Sequence, residues 1–195
     1  MFLEQKGNKK SRKGWIEIIC GSMFSGKTEE LIRRIKRAEF ANQKIEIYKP
    51  ELDRRYDKKD VVSHNKTTIP SIPVPNAKAI LELAKEVEVV GIDEAQFFDE
   101  DLPSVCATLS NNGARVIIAG LDMDYLGNPF GPIPALMSTA EFVTKVHAIC
   151  LGCGDLAQFS HRKTKDESLV LLGEIEEYEP LCRKCFYEAM KNNEG

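Results

Sequence analysis

Eight consecutive residues, Gly21-Ser22-Met23-Phe24-Ser25-Gly26-Lys27-Thr28, have the spacing G-x-x-x-x-G-K-[ST] of a phosphate-binding loop. Glycines let such a loop curl until backbone N–H groups face phosphate oxygens, and the helix that follows adds partial positive charge. Lys27 is then placed to reach the β- and γ-phosphates, and the Thr28 hydroxyl to hold Mg²⁺. A second signal is Val89-Val90-Gly91-Ile92-Asp93-Glu94, an apolar run ending in two carboxylates, as in a Walker B strand. Asp93 would sit opposite Thr28 and engage Mg²⁺. Glu94 would project towards the γ-phosphate, where a nucleophile must lose a proton. Without the phosphate loop, the same two carboxylates would read as a cap on the next helix.

The third signal is Cys150-x-x-Cys153 and Cys182-x-x-Cys185. Two such thiolate pairs complete a tetrahedral Zn²⁺ site. A single C-x-x-C also admits a redox reading, but redox pairs rarely occur twice at this spacing. Cys20 and Cys106 are flanked by apolar residues and are expected to be buried core thiols. Other chemistry-bearing residues leave alternatives open. Asp53-Arg54-Arg55-Tyr56 follows a strand candidate and either serves a phosphate and its metal or forms surface ion pairs. His64, beside a polar turn, is expected to be structural rather than a catalytic base. The basic residues Lys6, Lys9, Lys10, Arg12 and Lys13 read as a solvated terminus rather than a nucleic-acid arm.

Positioning these residues requires alternating strands and helices. Trp15–Cys20 is apolar and β-branched enough for a buried strand ahead of the loop. From Glu29 to Phe40, Leu31, Ile32, Ile35 and Ala38 share one helical face. Further strands are expected at 44–49, 89–94, 115–122 and 142–149. Helices are expected at 76–88, 101–112 and about 133–140, with a loop over 123–131. Pro70, Pro73 and Pro75 exclude a central strand from 57–75 and leave an edge hairpin or a loop. This alternation predicts a mostly parallel, doubly wound α/β sheet. The expected organisation is a tail over 1–13, an α/β unit over 14–149 and a zinc unit over 150–195. The last is too small to build much core without a metal.

With 195 residues, 27 Lys plus Arg and 30 Asp plus Glu, the chain lacks the basic footprint of a nucleic-acid binder. No apolar run approaches the roughly 20 residues of a membrane span, and no apolar h-region with a cleavage site opens the chain. A cytoplasmic protein that binds neither nucleic acid nor membrane is the expectation.

Taken in order, Gly21–Thr28, Asp53-Arg54-Arg55-Tyr56, Ile92-Asp93-Glu94-Ala95-Gln96-Phe97-Phe98, Pro129-Phe130-Gly131 and the four cysteines resemble the zinc-containing type II thymidine kinases, especially their bacterial branch. The resemblance runs from Trp15 to Cys185. It implies a P-loop, RecA-like sheet with a zinc-ribbon-like unit carrying a lasso loop. It also implies transfer of the ATP γ-phosphate to the 5′-hydroxyl of thymidine, with deoxyuridine as a second substrate. On this pattern Glu94 is the general base, while Lys27 and Arg55 stabilise the transferring phosphoryl group. Thr28, Asp53 and Asp93 serve Mg²⁺, with the inner-shell carboxylate left open. The nucleotide site comprises Gly21 to Thr28 with Asp93, Glu94, Ala95 and Gln96. Met23, Phe97, Leu121 and Tyr125 line the thymine pocket, and main-chain groups of Val170, Leu171, Leu172 and Gly173 read the base, with Tyr178 near the sugar. A homotetramer and feedback inhibition by dTTP follow from the same resemblance.

Three rivals differ in what they need. A GTPase needs an N-K-x-D motif, which the sequence lacks. A RecA-like DNA motor would use Glu94 to activate water and would show a basic surface. A zinc-ribbon interaction module would leave the phosphate loop without a purpose. The zinc is expected to matter for the nucleoside loop and not for the phosphate loop, which the preceding strand and following helix build.

Overall fold

A computed structural model describes residues 13–51, 60–62, 68–164 and 176–193. Asp53, Arg54, Arg55, Tyr56, His64, Val170, Leu171, Leu172 and Gly173 lie outside the described residues, as do the basic residues before Lys13.

Strand β1 (Trp15–Cys20) runs into the phosphate loop, and α1 (Lys27–Phe40) leaves it. Next come β2 (Ile45–Pro50), β3 (Asp60–Val62), β4 (Thr68–Pro70), β5 (Ile72–Val74), α2 (Ala77–Leu83) and β6 (Val89–Ile92). A 3₁₀ turn, Ala95–Phe97, precedes α3 (Leu102–Asn111), β7 (Arg115–Gly120), α4 (Ile133–Thr139) and β8 (Phe142–Lys145). Four short strands follow, β9 (Ala148–Ile149), β10 (Leu156–Ala157), β11 (Phe159–Arg162) and β12 (Tyr178–Leu181), and then the helix α5 (Arg183–Asn193). Among the described residues, no helix is long and apolar enough to cross a membrane.

Six strands form one sheet in the order β5-β2-β6-β7-β1-β8, and every pairing in it is parallel. The phosphate-loop strand β1 and the Asp93–Glu94 strand β6 thus flank β7, the RecA-like arrangement. Their carboxyl ends open on one side of the sheet, where ligands bind in such folds. Side chains alternate between two cores. Ile16, Ile18 and Cys20 of β1 pack with α2, α3 and α4, while Ile19 packs with Leu31, Ile32 and Ile35 of α1.

The α1 face of β1 also holds a charge. Glu17 is fully buried and accepts from Arg34 Nη1 of α1 at 2.8 Å and from Arg115 Nε of β7 at 2.6 Å. Trp15 Nε1 donates to the same carboxylate at 2.7 Å, and Arg34 continues to Glu30 and Thr144. Burial of these charges is tolerable because each meets several partners.

The proline-rich stretch behaves as its residues require. β3 and β4 pair antiparallel as a separate ribbon, and β5 occupies the sheet edge beside β2. Two expectations need correction. The helix over 76–88 stops at Leu83, because Glu88 N must donate to Lys44 O at 2.9 Å as the chain enters β6. Leu83 is accordingly exposed, and Glu86 turns through a positive φ of 62°. The strand over 142–149 is also broken. Val146 N donates to Cys20 O at 2.8 Å under the phosphate loop, after which β9 leaves the sheet to pair with β10.

Candidate active site and cysteine cluster

The phosphate loop is tight because two glycines permit it. Gly21 has φ 145°, and a Cβ there would lie 2.1 Å from Val146 O. Gly26 adopts φ 84° immediately before α1, whose N-terminus therefore faces the loop. Ser22 O accepts from Ser25 Oγ and from Lys27 Nζ, each at 2.7 Å, so Lys27 folds over its own loop. Thr28 Oγ1 donates to Asp93 Oδ2 at 3.4 Å, bridging the loop and β6. An oxygen pair at that place suits a hard divalent cation such as Mg²⁺.

Glu94 leaves β6 in the left-handed region, φ 50° and ψ 40°. That backbone is costly for a non-glycine residue and turns its side chain out of the strand direction. Gln96 holds the carboxylate: Nε2 donates to Glu94 Oε2 at 2.6 Å, while Oε1 accepts from Leu121 N at 2.9 Å. Two small residues make room for this amide. A Cβ on Gly120 would lie 3.0 Å from Gln96 Oε1, and one on Gly131 would lie 2.3 Å from Gln96 O. Gln96 and Ala95, both expected at the nucleotide, are buried, and the Gln96 amide joins Glu94 to β7.

An open cleft brings Met23, Phe24, Gly26, Lys27 and Thr28 together with Glu94 and Leu121. A cation at a helix N-terminus and a held carboxylate thus share one opening, an arrangement suited to moving a phosphoryl group onto a hydroxyl. Phe97 packs edge-on against Phe130, with ring centroids 5.7 Å apart. Tyr125 lies under the Arg162 guanidinium, and Tyr178 pairs with Arg162 across β11 and β12.

Cys150, Cys153, Cys182 and Cys185 place their sulfurs within 4.8 Å of one another, with Cys153 Sγ 3.6 Å from Cys182 Sγ. A tetrahedral Zn²⁺ needs sulfurs roughly 3.8 Å apart, given Zn–S near 2.3 Å, so four free thiols at these distances fit it. Burial pushes the Cys150 thiol up, but backbone N–H groups of Cys182, Cys153 and Gly152 outweigh it and bring it down to about 6. Within the same cluster the Cys185 thiol is raised to about 12, first by the Cys182 side chain. Burial, then the Asp122 carboxylate, raises Cys20 to about 11, and burial raises Cys106 to about 12, as inert core thiols require.

The cysteine unit touches the phosphate loop. Along β11, Ser160 and Arg162 face one way and Phe159 and His161 the other, against Phe186. Ser160 Oγ accepts from Met23 N at 2.9 Å, and Phe24 packs against the core of Ala148, Ala157, Phe159, Leu181 and Phe186. Phe24 has φ 62°, a strained backbone for a bulky residue, and this packing holds it. The phosphate loop, expected to be built by its own strand and helix, thus also contacts the cysteine unit. Ser160, Arg162 and the Glu17 cluster were not legible from motifs. The signal for β11 was a period-two run between the cysteine pairs, too short to register alone.

Sheet order, phosphate loop and the carboxylates closing β6 define a P-loop nucleotide-binding protein with an appended four-cysteine unit. A sequence model of the thymidine kinase family matches residues 14–186, and the chain belongs to that family. It is 60% identical over 189 residues to a thymidine kinase of Bacteroides thetaiotaomicron, covering 97% of this chain and 95% of that one. A Bacteroides fragilis thymidine kinase is 58% identical over 99% of this chain and 97% of its own. One from Rhodothermus sp. is 58% identical over 89% and 81%. Among solved structures, the Legionella pneumophila ATPase DotB overlaps 67% of this chain and 36% of its own at a TM-score of 0.43 and 17% identity, too loosely to carry weight.

Proposed function

We infer that the chain transfers the γ-phosphoryl group of ATP to the 5′-hydroxyl of thymidine, giving dTMP and ADP, and accepts deoxyuridine as a second nucleoside. One observation carries this reading beyond family membership: Glu94 opens into the same cleft as Lys27 and Thr28, held there by Gln96. The 5′-oxygen attacks the γ-phosphorus in line as the bond to the β,γ-bridging oxygen breaks. Glu94 accepts the hydroxyl proton, and Lys27 moves from Ser22 O to the phosphates to offset charge on the departing and transferring groups. Arg55 is assigned to the same charge. Thr28 and Asp93, with Asp53, would hold Mg²⁺, which supplies charge neutralisation at the β- and γ-oxygens. Met23, Leu121, Phe97 and Tyr125 are assigned to the base, with Tyr178 near the sugar and main-chain groups of Val170 to Gly173 assigned to reading the base by the family resemblance. The four cysteines would hold a structural Zn²⁺.

Family membership further supports a homotetramer, dTTP as feedback inhibitor and a cytoplasmic location. Incubating the purified protein with γ-labelled ATP and a panel of nucleosides or DNA tests the assignment. Label appearing in thymidine and deoxyuridine monophosphates is expected. Label released as inorganic phosphate only when DNA is present would instead mark a motor ATPase.

A further inference from the structure

Arg162 lies at the end of β11, buried at 4% exposure, on the face that also presents Ser160 to Met23. Its Cζ is 3.7 Å from the Tyr125 ring centroid, so the guanidinium stacks on that ring. Its Nε and Nη2 both donate to Tyr178 Oη, at 3.1 and 2.7 Å. A single planar cation thus joins two aromatic residues that come from different parts of the chain.

We propose that Arg162 is the positioning residue of the nucleoside pocket: it fixes the Tyr125 ring plane and orients the Tyr178 hydroxyl. The proposal rests on the thymidine reading above and deepens it. A phenol oxygen that accepts two N–H groups has its acceptor capacity filled, so its direction is set by the guanidinium. Only a planar fork can stack on one ring while delivering two N–H groups to one oxygen. Lysine, a point charge on a flexible stem, has the charge without the geometry.

Steady-state kinetics of the zinc-loaded full chain test this with Arg162→Gln, Arg162→Lys, Tyr178→Phe and the Arg162→Gln/Tyr178→Phe double variant. Arg162→Gln is expected to raise the thymidine KM about 10- to 100-fold, the loss of charge-assisted bonds and a stacked cation. The ATP KM should change by less than about threefold, since Arg162 holds Tyr125 and Tyr178, neither of them in the phosphate loop. Lysine should not rescue the thymidine KM. Tyr178→Phe should raise it in the native background and add nothing in the Arg162→Gln background. Equal rises in both KM values, rescue by lysine, or additive effects would each reduce Arg162 to a structural residue and overturn the proposal. Should Arg162→Gln fail to fold, an unchanged thymidine KM in folded Tyr178→Phe overturns it equally. A native protein that leaves thymidine unphosphorylated is a different result, which removes the thymidine reading and this proposal with it.

Discussion

At the scale of single residues, the proposed role of Glu94 as base requires that its carboxylate be held as well as present. A left-handed backbone turns it out of β6, and the Gln96 amide fixes one oxygen at 2.6 Å. Glu94→Gln keeps the size and removes the base, so turnover should fall by roughly two orders of magnitude or more, with ATP affinity retained in a titration. Near-native turnover would sink the assignment. Gln96→Ala leaves the base but frees it, and kcat should fall about tenfold with little change in the ATP KM. An unaltered kcat would mean that Glu94 needs no such support. Motif spacing displayed Glu94 and Lys27 directly. The resemblance named Gln96 at the nucleotide but not its grip on Glu94, since its amide works from the interior, between Gly120 and Gly131.

At the scale of elements, β1 is both the base of the phosphate loop and the carrier of a buried charge. Glu17→Ala would leave Arg34 and Arg115 without their shared carboxylate, and denaturant melts should show a loss of about 3–5 kcal/mol. A loss below about 1 kcal/mol would show that Glu30 and Thr144 suffice for Arg34. Hydrophobic periodicity made the strands and helices legible, because buried parallel strands are continuous apolar runs. The prolines left 57–75 as an edge hairpin or a loop, because proline cannot donate within a sheet, and β5 lies at the sheet edge. Periodicity overran at 84–88 and at 146–149, where apolar residues continue but the chain turns away. Backbone bonds made elsewhere, from Glu88 to Lys44 and from Val146 to Cys20, decide those ends. A single glutamate within an apolar strand likewise shows no partner in sequence, since Arg34 and Arg115 reach it from other elements.

At the scale of the whole molecule, the cysteine unit and the P-loop sheet meet at Met23 and Phe24, so a metal that orders one should brace the other. Removing zinc, or Cys182→Ser, should therefore weaken both ATP and thymidine binding in calorimetric titrations, with zinc counted per chain and thymidine losing more. ATP affinity unmoved by zinc loss would show that Ser160 and Phe24 contribute nothing to the loop. The central claim, that this cleft joins a phosphate loop to a base serving a nucleoside hydroxyl, has a more direct test. ADP and dTMP are quantified together as the full-length protein turns over ATP with thymidine. The account predicts equal amounts of the two products, the phosphate on the 5′-oxygen, and loss of both in Glu94→Gln. ADP formed with free phosphate and no dTMP would contradict it.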